Sequence, residues 1–315
     1  MEKLDVLLAE AKTVGIAGHI NPDGDCVGSC LAMYNYIKEY FPQIDVNLYL
    51  EPIPNIFKFM KRSEEIKNEC DGEQVFDLFI ALDCGDESRL GESRKYLEAA
   101  KHTICIDHHI SNKSYGEHNY VVPEASSACE LVFDLISYDR ITKEIAECLY
   151  TGMVHDTGVF RYSCTSRKTM EVAGKLMELG INYPKIVDET FFTKTYNQNQ
   201  IFGLALLKSK LHLDGRMISC IITKQEMDQY GVLAKHLDGI ASQILNTKDV
   251  ETSALFYELE EGVFKVSMRS KEIVDVSAIA VKYSGGGHVR AAGFSMEGDP
   301  EKNLEIVIQE VEKQF

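Results

Sequence analysis

The segment His19-Ile20-Asn21-Pro22-Asp23-Gly24-Asp25 places one imidazole and two carboxylates close together in the chain. These are donors for a hard or borderline divalent cation. The same stretch also reads as a solvated turn with Asp25 capping the helix that follows, and alone it does not choose between the two. Three further places do. Asp83 closes the apolar run 76–82, Asp107-His108-His109 closes the run that starts at 103, and Asp156 ends a predicted helix in His155-Asp156-Thr157-Gly158. One acid at the end of a core element is ordinarily a cap. Four acidic or histidine clusters at the ends of core elements are expected to converge at one sheet edge as a two-metal site. The set holds no thiolate, which disfavours a structural zinc site. Carboxylate and imidazole suit Mn first, with Mg, Fe, Co or Zn as alternatives. Two such cations, about 3.5–4 Å apart, lower the pKa of water and clamp both oxygens of an in-line displacement at phosphorus. Carboxylates packed this closely repel one another without cations.

The elements that must position these residues alternate. Strands are predicted at 13–18, 45–50, 76–83 and 103–107, and helices at Cys26–Tyr40, 128–138, 142–155 and 166–180. Such alternation predicts a parallel sheet covered by helices, with ligands at the carboxyl ends of its strands. The rhythm changes around 181–200, where the polar run TKTYNQNQ marks a domain boundary. Beyond it strands are predicted at 216–223, 251–259 and 263–269, with a turn at Glu261-Gly262. Helices are predicted at 234–246 and 274–283. A glycine run, 285–287, precedes a last strand and a terminal helix.

The chain has 315 residues, and roughly 150 residues per domain gives two domains. Its net charge of −16 opposes long polyanions, including long double-stranded nucleic acid, and leaves short anionic ligands open. No apolar run reaches the roughly 18 residues of a membrane helix, and the acidic N-terminus does not suit a signal peptide. A cytoplasmic location without membrane partners is expected. The nine cysteines contain no C-x-x-C pair and are expected to be reduced and mostly buried.

The motifs H-x-N-P-D-G-D-x-x-G-S, a strand-ending Asp, D-H-H and D-T-G-x-F, in this order, resemble those of the DHH phosphoesterases. In the second half, Ser267-Met268-Arg269-Ser270, Gly285-Gly286-Gly287-His288 and Ala291-Ala292-Gly293 resemble the DHH-associated domain of type one, DHHA1. The resemblance covers essentially the whole chain. It implies an α/β fold: a parallel-sheet catalytic domain with flanking helices over 1–188, a linker over 189–200, and a smaller mixed-sheet α/β domain over 201–315, with the active site in the cleft between them. Carried over residue by residue, His19, Asp23 and Asp83 resemble the ligands of one metal. Asp25, Asp83, His108 and Asp156 resemble those of the other, with Asp83 bridging. His109 is expected to contact the scissile phosphate and Asp107 to orient the histidines. Arg269, Ser270, Gly285, Gly286, Gly287 and His288 are expected to hold substrate, since a glycine run admits close phosphate approach and arginine forks onto phosphate oxygens. Ser29 is expected to pack near the helix start. His155, Asp86 and Arg89 read as structural. Cys26 stands where a small residue such as Ala is usual, and is expected to make activity sensitive to oxidation.

Within the family, size and the absence of a membrane helix point to the compact nanoRNase group. That implies a hydrolase of short oligoribonucleotides, dinucleotides such as pApA, and 3′-phosphoadenosine 5′-phosphate. A soluble phosphodiesterase for cyclic di-AMP or pApA is the near alternative. A non-catalytic nucleotide sensor is the alternative of another class, and it is disfavoured because every ligand type is present. The sequence leaves the oligomeric state open, a homodimer included.

Overall fold

The computed structural model describes residues 2–315. The backbone divides between Thr193 and Lys194 into two units, each with its own core.

The first unit is built on five parallel strands: β1 (Thr13–Ala17), β2 (Asp45–Tyr49), β3 (Leu78–Leu82), β4 (His102–Asp107) and β5 (His118–Val121). Their order is β2-β1-β3-β4-β5. The chain leaves β1 toward one edge and returns as β3 on its other side, which opens a crevice at the carboxyl ends of β1 and β3. Helices α1 (Glu2–Glu10), α2 (Gly24–Tyr40), α3 (Arg94–Ala99), α4 (Ala128–Leu135), α5 (Lys143–Asp156), α6 (Arg167–Glu178) and α7 (Tyr183–Val187) complete it. Four strands and four helices lie where their apolar patterns place them. Strand β5 has no such pattern. It pairs on one side only, and its sequence HNYV stays half-exposed.

Helix α2 starts two residues before the expected Cys26, and its cap is Asp23 rather than Asp25. The Asp23 carboxylate accepts from the backbone N–H of Asp25 and of Cys26, both at 3.1 Å. This satisfies two of the donors a helix start leaves free. Helix α2 is buried without interruption from Gly24 to Ile37 because it lies against α5 as well as the sheet. Two glycines permit that approach. A Cβ on Gly152 would sit against Cys129 Sγ and 2.8 Å from Asp25 Oδ1. A Cβ on Gly24 would run into the ring of His155.

The second unit carries a mixed sheet of β6 (Lys210–His212), β7 (Met217–Ile222), β8 (Thr252–Glu260), β9 (Val263–Ser270), β10 (Gly286–His288) and β11 (Ala291–Glu297), in the order β10-β11-β9-β8-β7-β6. Only the β7–β8 pair is parallel. Its helices are α8 (Tyr196–Lys208), α9 (Lys224–Gln229), α10 (Ile240–Leu245), α11 (Val276–Lys282) and α12 (Pro300–Glu312).

Three expectations need correction here. The helix expected over 234–246 is broken by Gly239 at φ 86°, so a 3₁₀ turn, Ala234–Leu237, precedes α10. The glycine run is not a free loop, since Gly286–His288 pairs with β11. The stretch 189–200 is not irregular: Asp188–Phe192 forms a π-turn, and Thr195 and Gln198 close a capping box on α8. All nine cysteines are free thiols. Cys26 is fully buried, and burial pushes its thiol well above the ordinary range. Thiolate chemistry is suppressed there, so the expected sensitivity to oxidation has no support in its surroundings.

Candidate active site

Each element end at the crevice contributes a donor. His19 follows β1, Asp23 and Asp25 open α2, Asp83 follows β3, His108 and His109 follow β4, and Asp156 ends α5. The structure brings all seven together. His19 Nε2 lies 3.7 Å from Asp23 Oδ2 and 3.5 Å from Asp83 Oδ2. His108 Nε2 lies 3.8 Å from Asp25 Oδ2, 3.5 Å from Asp83 Oδ1 and 3.2 Å from Asp156 Oδ2. Asp83 therefore turns one oxygen to each histidine. It does so from a left-handed backbone conformation at φ 51°, a strained geometry costing roughly 1–3 kcal/mol.

The neighbours fix these side chains. Asp25 accepts from the backbone N–H of Ala128 at 2.6 Å and of Cys129 at 3.0 Å, so it also serves the N-terminus of α4. Asp107 bonds His109 Nδ1 at 2.7 Å and accepts from Asn112 Nδ2 at 2.6 Å. That pins the His109 ring by one nitrogen and leaves Nε2 for a ligand. Asn112 was not singled out in the sequence; its position three residues past D-H-H was the only available sign. Ser29 bonds within α2, to the carbonyl of Cys26. His155 is structural, as expected. Its Nε2 meets Thr190 Oγ1 at 3.0 Å, its ring packs edge-on to Phe57 and Phe191, and burial pushes its pKa down to about 4.

The electrostatics of the cluster are those of a cation site. Burial and the charge of Asp83 push Asp25 up, and burial and the charge of Asp25 push Asp156 up. Burial opposes protonation of His19, yet the carboxylates of Asp23 and Asp83 outweigh it and raise His19 to about 12. His108 rises to about 10 in the same way, with Asp83 foremost. Asp83 Oδ1 is buried without a hydrogen-bond donor, an unmet bonding position that a cation between the carboxylates would fill. Separations of 3.2–3.8 Å are near those of two donors each about 2.1 Å from one cation. These residues fit a pair of divalent metals.

Protons and metal compete for this site. His19 and His108 hold protons at neutral pH in the metal-free protein, and metal loading must displace them. Asp156 and part of Asp25 are protonated there as well, so loading at pH 7 is expected to release more than two protons, and metal affinity to rise steeply with pH. Calorimetry in buffers of different ionisation enthalpy measures the release. Affinity that stays flat from pH 6 to 8 would contradict the ligand set.

In the second unit, Arg269 lies on β9 opposite Ala291 of β11, and its Nη1 donates to the Met268 carbonyl at 2.8 Å. With Tyr257, Lys265 and Ser267 it lines a pocket of about 340 Å³ next to α10. Gly286, Gly287 and His288 are exposed on the edge strand, two strands from Arg269. A Cβ on Gly285 would run into the backbone of β11. Ser270 is buried, and its hydroxyl donates to the Val274 carbonyl at 2.6 Å, so that hydroxyl is committed to holding the strand end.

A crevice of this kind in a chain of this fold defines a hydrolase acting on phosphoester bonds. The N-terminal domain model of the DHH family matches residues 13–153, the DHHA1 domain model matches residues 217–315, and the chain belongs to the DHH phosphoesterases that carry a DHHA1 domain. It is 28% identical to the bifunctional oligoribonuclease and PAP phosphatase NrnA of Thermus thermophilus, over 99% of this chain and 93% of that one. It is also 28% identical to the protein of the same name from Bacillus subtilis, over 90% and 89%. Among solved structures, an exopolyphosphatase-related protein from Bacteroides fragilis superimposes with a TM-score of 0.91 at 27% identity, covering 99% of this chain and 95% of that one. Among the described residues no helix is long and apolar enough to cross a membrane.

Proposed function

We propose that the chain hydrolyses short oligoribonucleotides, down to dinucleotides such as pApA, to mononucleotides, and removes the 3′-phosphate of 3′-phosphoadenosine 5′-phosphate. The observation that carries this reading is the cluster of two histidines and four aspartates in which Asp83 turns one oxygen to His19 and the other, which has no hydrogen-bond donor, to His108. The activities named for the relatives support the substrate class. One cation, preferably Mn²⁺, would sit on His19, Asp23 and Asp83, and a second on Asp25, Asp83, His108 and Asp156. Bound there, the pair supplies an acidified water and neutralises charge on the phosphoryl oxygens.

The chain's own groups do the rest. Asp83 shares its two oxygens between the two halves of the site. His109, held by Asp107, points Nε2 at a non-bridging phosphate oxygen and stabilises the charge that develops there. Arg269, Gly285–Gly287 and His288 hold the nucleotide that is not being cleaved. Catalysis belongs to 1–188 and recognition to 201–315, joined through 189–200. Short substrates also suit the net charge of −16, and a cytoplasmic location is part of this reading.

The test is a comparison of initial rates with Mn²⁺-loaded protein on pApA, a longer RNA, cyclic di-AMP and 3′-phosphoadenosine 5′-phosphate at equal concentration. Rapid AMP release from pApA and from the bisphosphate, with slow attack on the long RNA and the ring, is the expected result. Preferential opening of the ring would move the assignment to cyclic-dinucleotide turnover. No turnover of any of them would refute it.

A further inference from the structure

The sequence leaves Arg89 as a structural residue, and the structure gives its side chain no structural partner. The first unit has six arginines among its described residues. Arg62, Arg94, Arg140 and Arg167 each meet a carboxylate. Arg161, exposed to solvent, and Arg89 meet none within 4.0 Å, and of these two Arg89 stands beside the most acidic cluster of the molecule, against His19. Its Nη2 lies 3.3 Å from His19 Nδ1. That nitrogen already sits 2.8 Å from the Ile20 carbonyl, which fixes the proton on Nδ1. Two donors therefore face each other, and the guanidinium has no acceptor there.

Its backbone, by contrast, is held on both sides. The Arg89 carbonyl accepts from Ile20 N–H at 2.8 Å, and its N–H donates to the Asp86 carbonyl at 2.9 Å. Asp86 caps the turn through Ser88 N–H at 2.9 Å, and the next residue, Leu90, is buried in the core. A fixed backbone thus presents an exposed, unpaired cation at the edge of His19. Once metals occupy the cluster, the aspartate charge is neutralised and the guanidinium gains no relief from it. Water serves it in the free protein, and a phosphate offers the stronger, charged acceptors.

We infer that Arg89 is a phosphate-positioning residue: it grips a phosphate oxygen of the substrate at the His19 edge of the site, across Asp83 from His109. The inference rests on the phosphoesterase reading proposed above and names one more group that recognises its substrate. The guanidinium fork matches a phosphate, whose oxygens accept two parallel hydrogen bonds.

The experiment compares wild type, Arg89→Ala and Arg89→Lys on pApA and on ApA, which lacks the 5′-phosphate. Arg167→Ala, at an exposed surface pair, is the control. Arg89→Ala is expected to lose about 100-fold in kcat/KM. Arg89→Lys is expected to recover about tenfold of that, with melting temperatures unchanged. Equal losses on both substrates assign the contact to the scissile phosphate; a loss confined to pApA assigns it to the terminal one. Either supports the inference. A separate titration of the Mg²⁺-loaded proteins with inorganic phosphate keeps the two readings apart. It is expected to weaken about tenfold in Arg89→Ala, whether or not any nucleotide proves to be a substrate. Unchanged kinetics together with unchanged phosphate binding would overturn the inference. So would equal impairment of both Arg89 variants accompanied by a lowered melting temperature.

Discussion

Alanine at Asp83 is expected to eliminate turnover, by about 10⁴-fold or more, and to remove most of the stabilisation that metal gives the fold. A loss of that size is roughly 5 kcal/mol of transition-state stabilisation. It follows from the position of the carboxylate, which faces His19 with one oxygen and His108 with the other. No other side chain serves both halves of the cluster in this way. The stability half of the expectation has a separate origin. Asp83 is nearly fully buried, its Oδ1 has no donor, and its charge helps to push Asp25 and Asp156 up. Removing it relieves that repulsion and also takes the shared carboxylate from His19 and His108, a loss that destabilises a buried pair, so the discriminating quantity is the stabilisation by metal. Wild type should gain about 2.7 kcal/mol from Mn²⁺ at a hundred times its Kd, and the variant should gain far less. Rates on pApA and melting curves with and without Mn²⁺ test both halves. Activity within tenfold of wild type would remove Asp83 from the centre of the mechanism.

Alanine at Asp25 should behave differently, losing turnover and fold stability together. Its carboxylate is the acceptor for the N–H groups of Ala128 and Cys129, both fully buried. Each buried donor left unpaired costs about 1–3 kcal/mol. For a unit of this size that predicts a fall of roughly 5–15 °C in melting temperature. The comparison with Asp83→Ala is what makes the pair informative: one acid is held in place against repulsion, the other is also part of the scaffold. A melting temperature unchanged in Asp25→Ala would mean that water or Ser127 takes over the start of α4.

The site was legible because its residues lie at the ends of elements with strong apolar patterns. The runs before Asp83 and Asp107 are buried strands, and such runs announce both a strand and the crevice at its carboxyl end. The supporting contacts were less accessible. That Asp23 caps α2 while Asp25 reaches across to α4 depends on a pairing more than a hundred residues apart in the chain. Strand β5 escaped because an edge strand with polar residues carries no alternation. Helix α8 escaped for a different reason: its polar first turn was taken as a boundary, although Thr195 and Gln198 have capping-box spacing. The glycine run was legible as glycines but not as a strand, because pairing with β11 is set by the backbone. Arg89 could not be assigned from sequence, since an unpaired side chain is recognised only once all its neighbours are in place.

The contact between Gly24 and the ring of His155 ties together two motifs separated by most of the first unit. Neither position can drift alone. A side chain introduced at 24 needs the space that the imidazole fills, next to Asp156, so a lone Gly24→Ala change should disturb a metal ligand in a distant helix. The repair is equally local: trimming position 155 to a small residue makes room. In diverging lineages the two sites should therefore change as a matched pair, with a larger residue at 24 accompanied by a smaller one at 155, although neither touches the substrate.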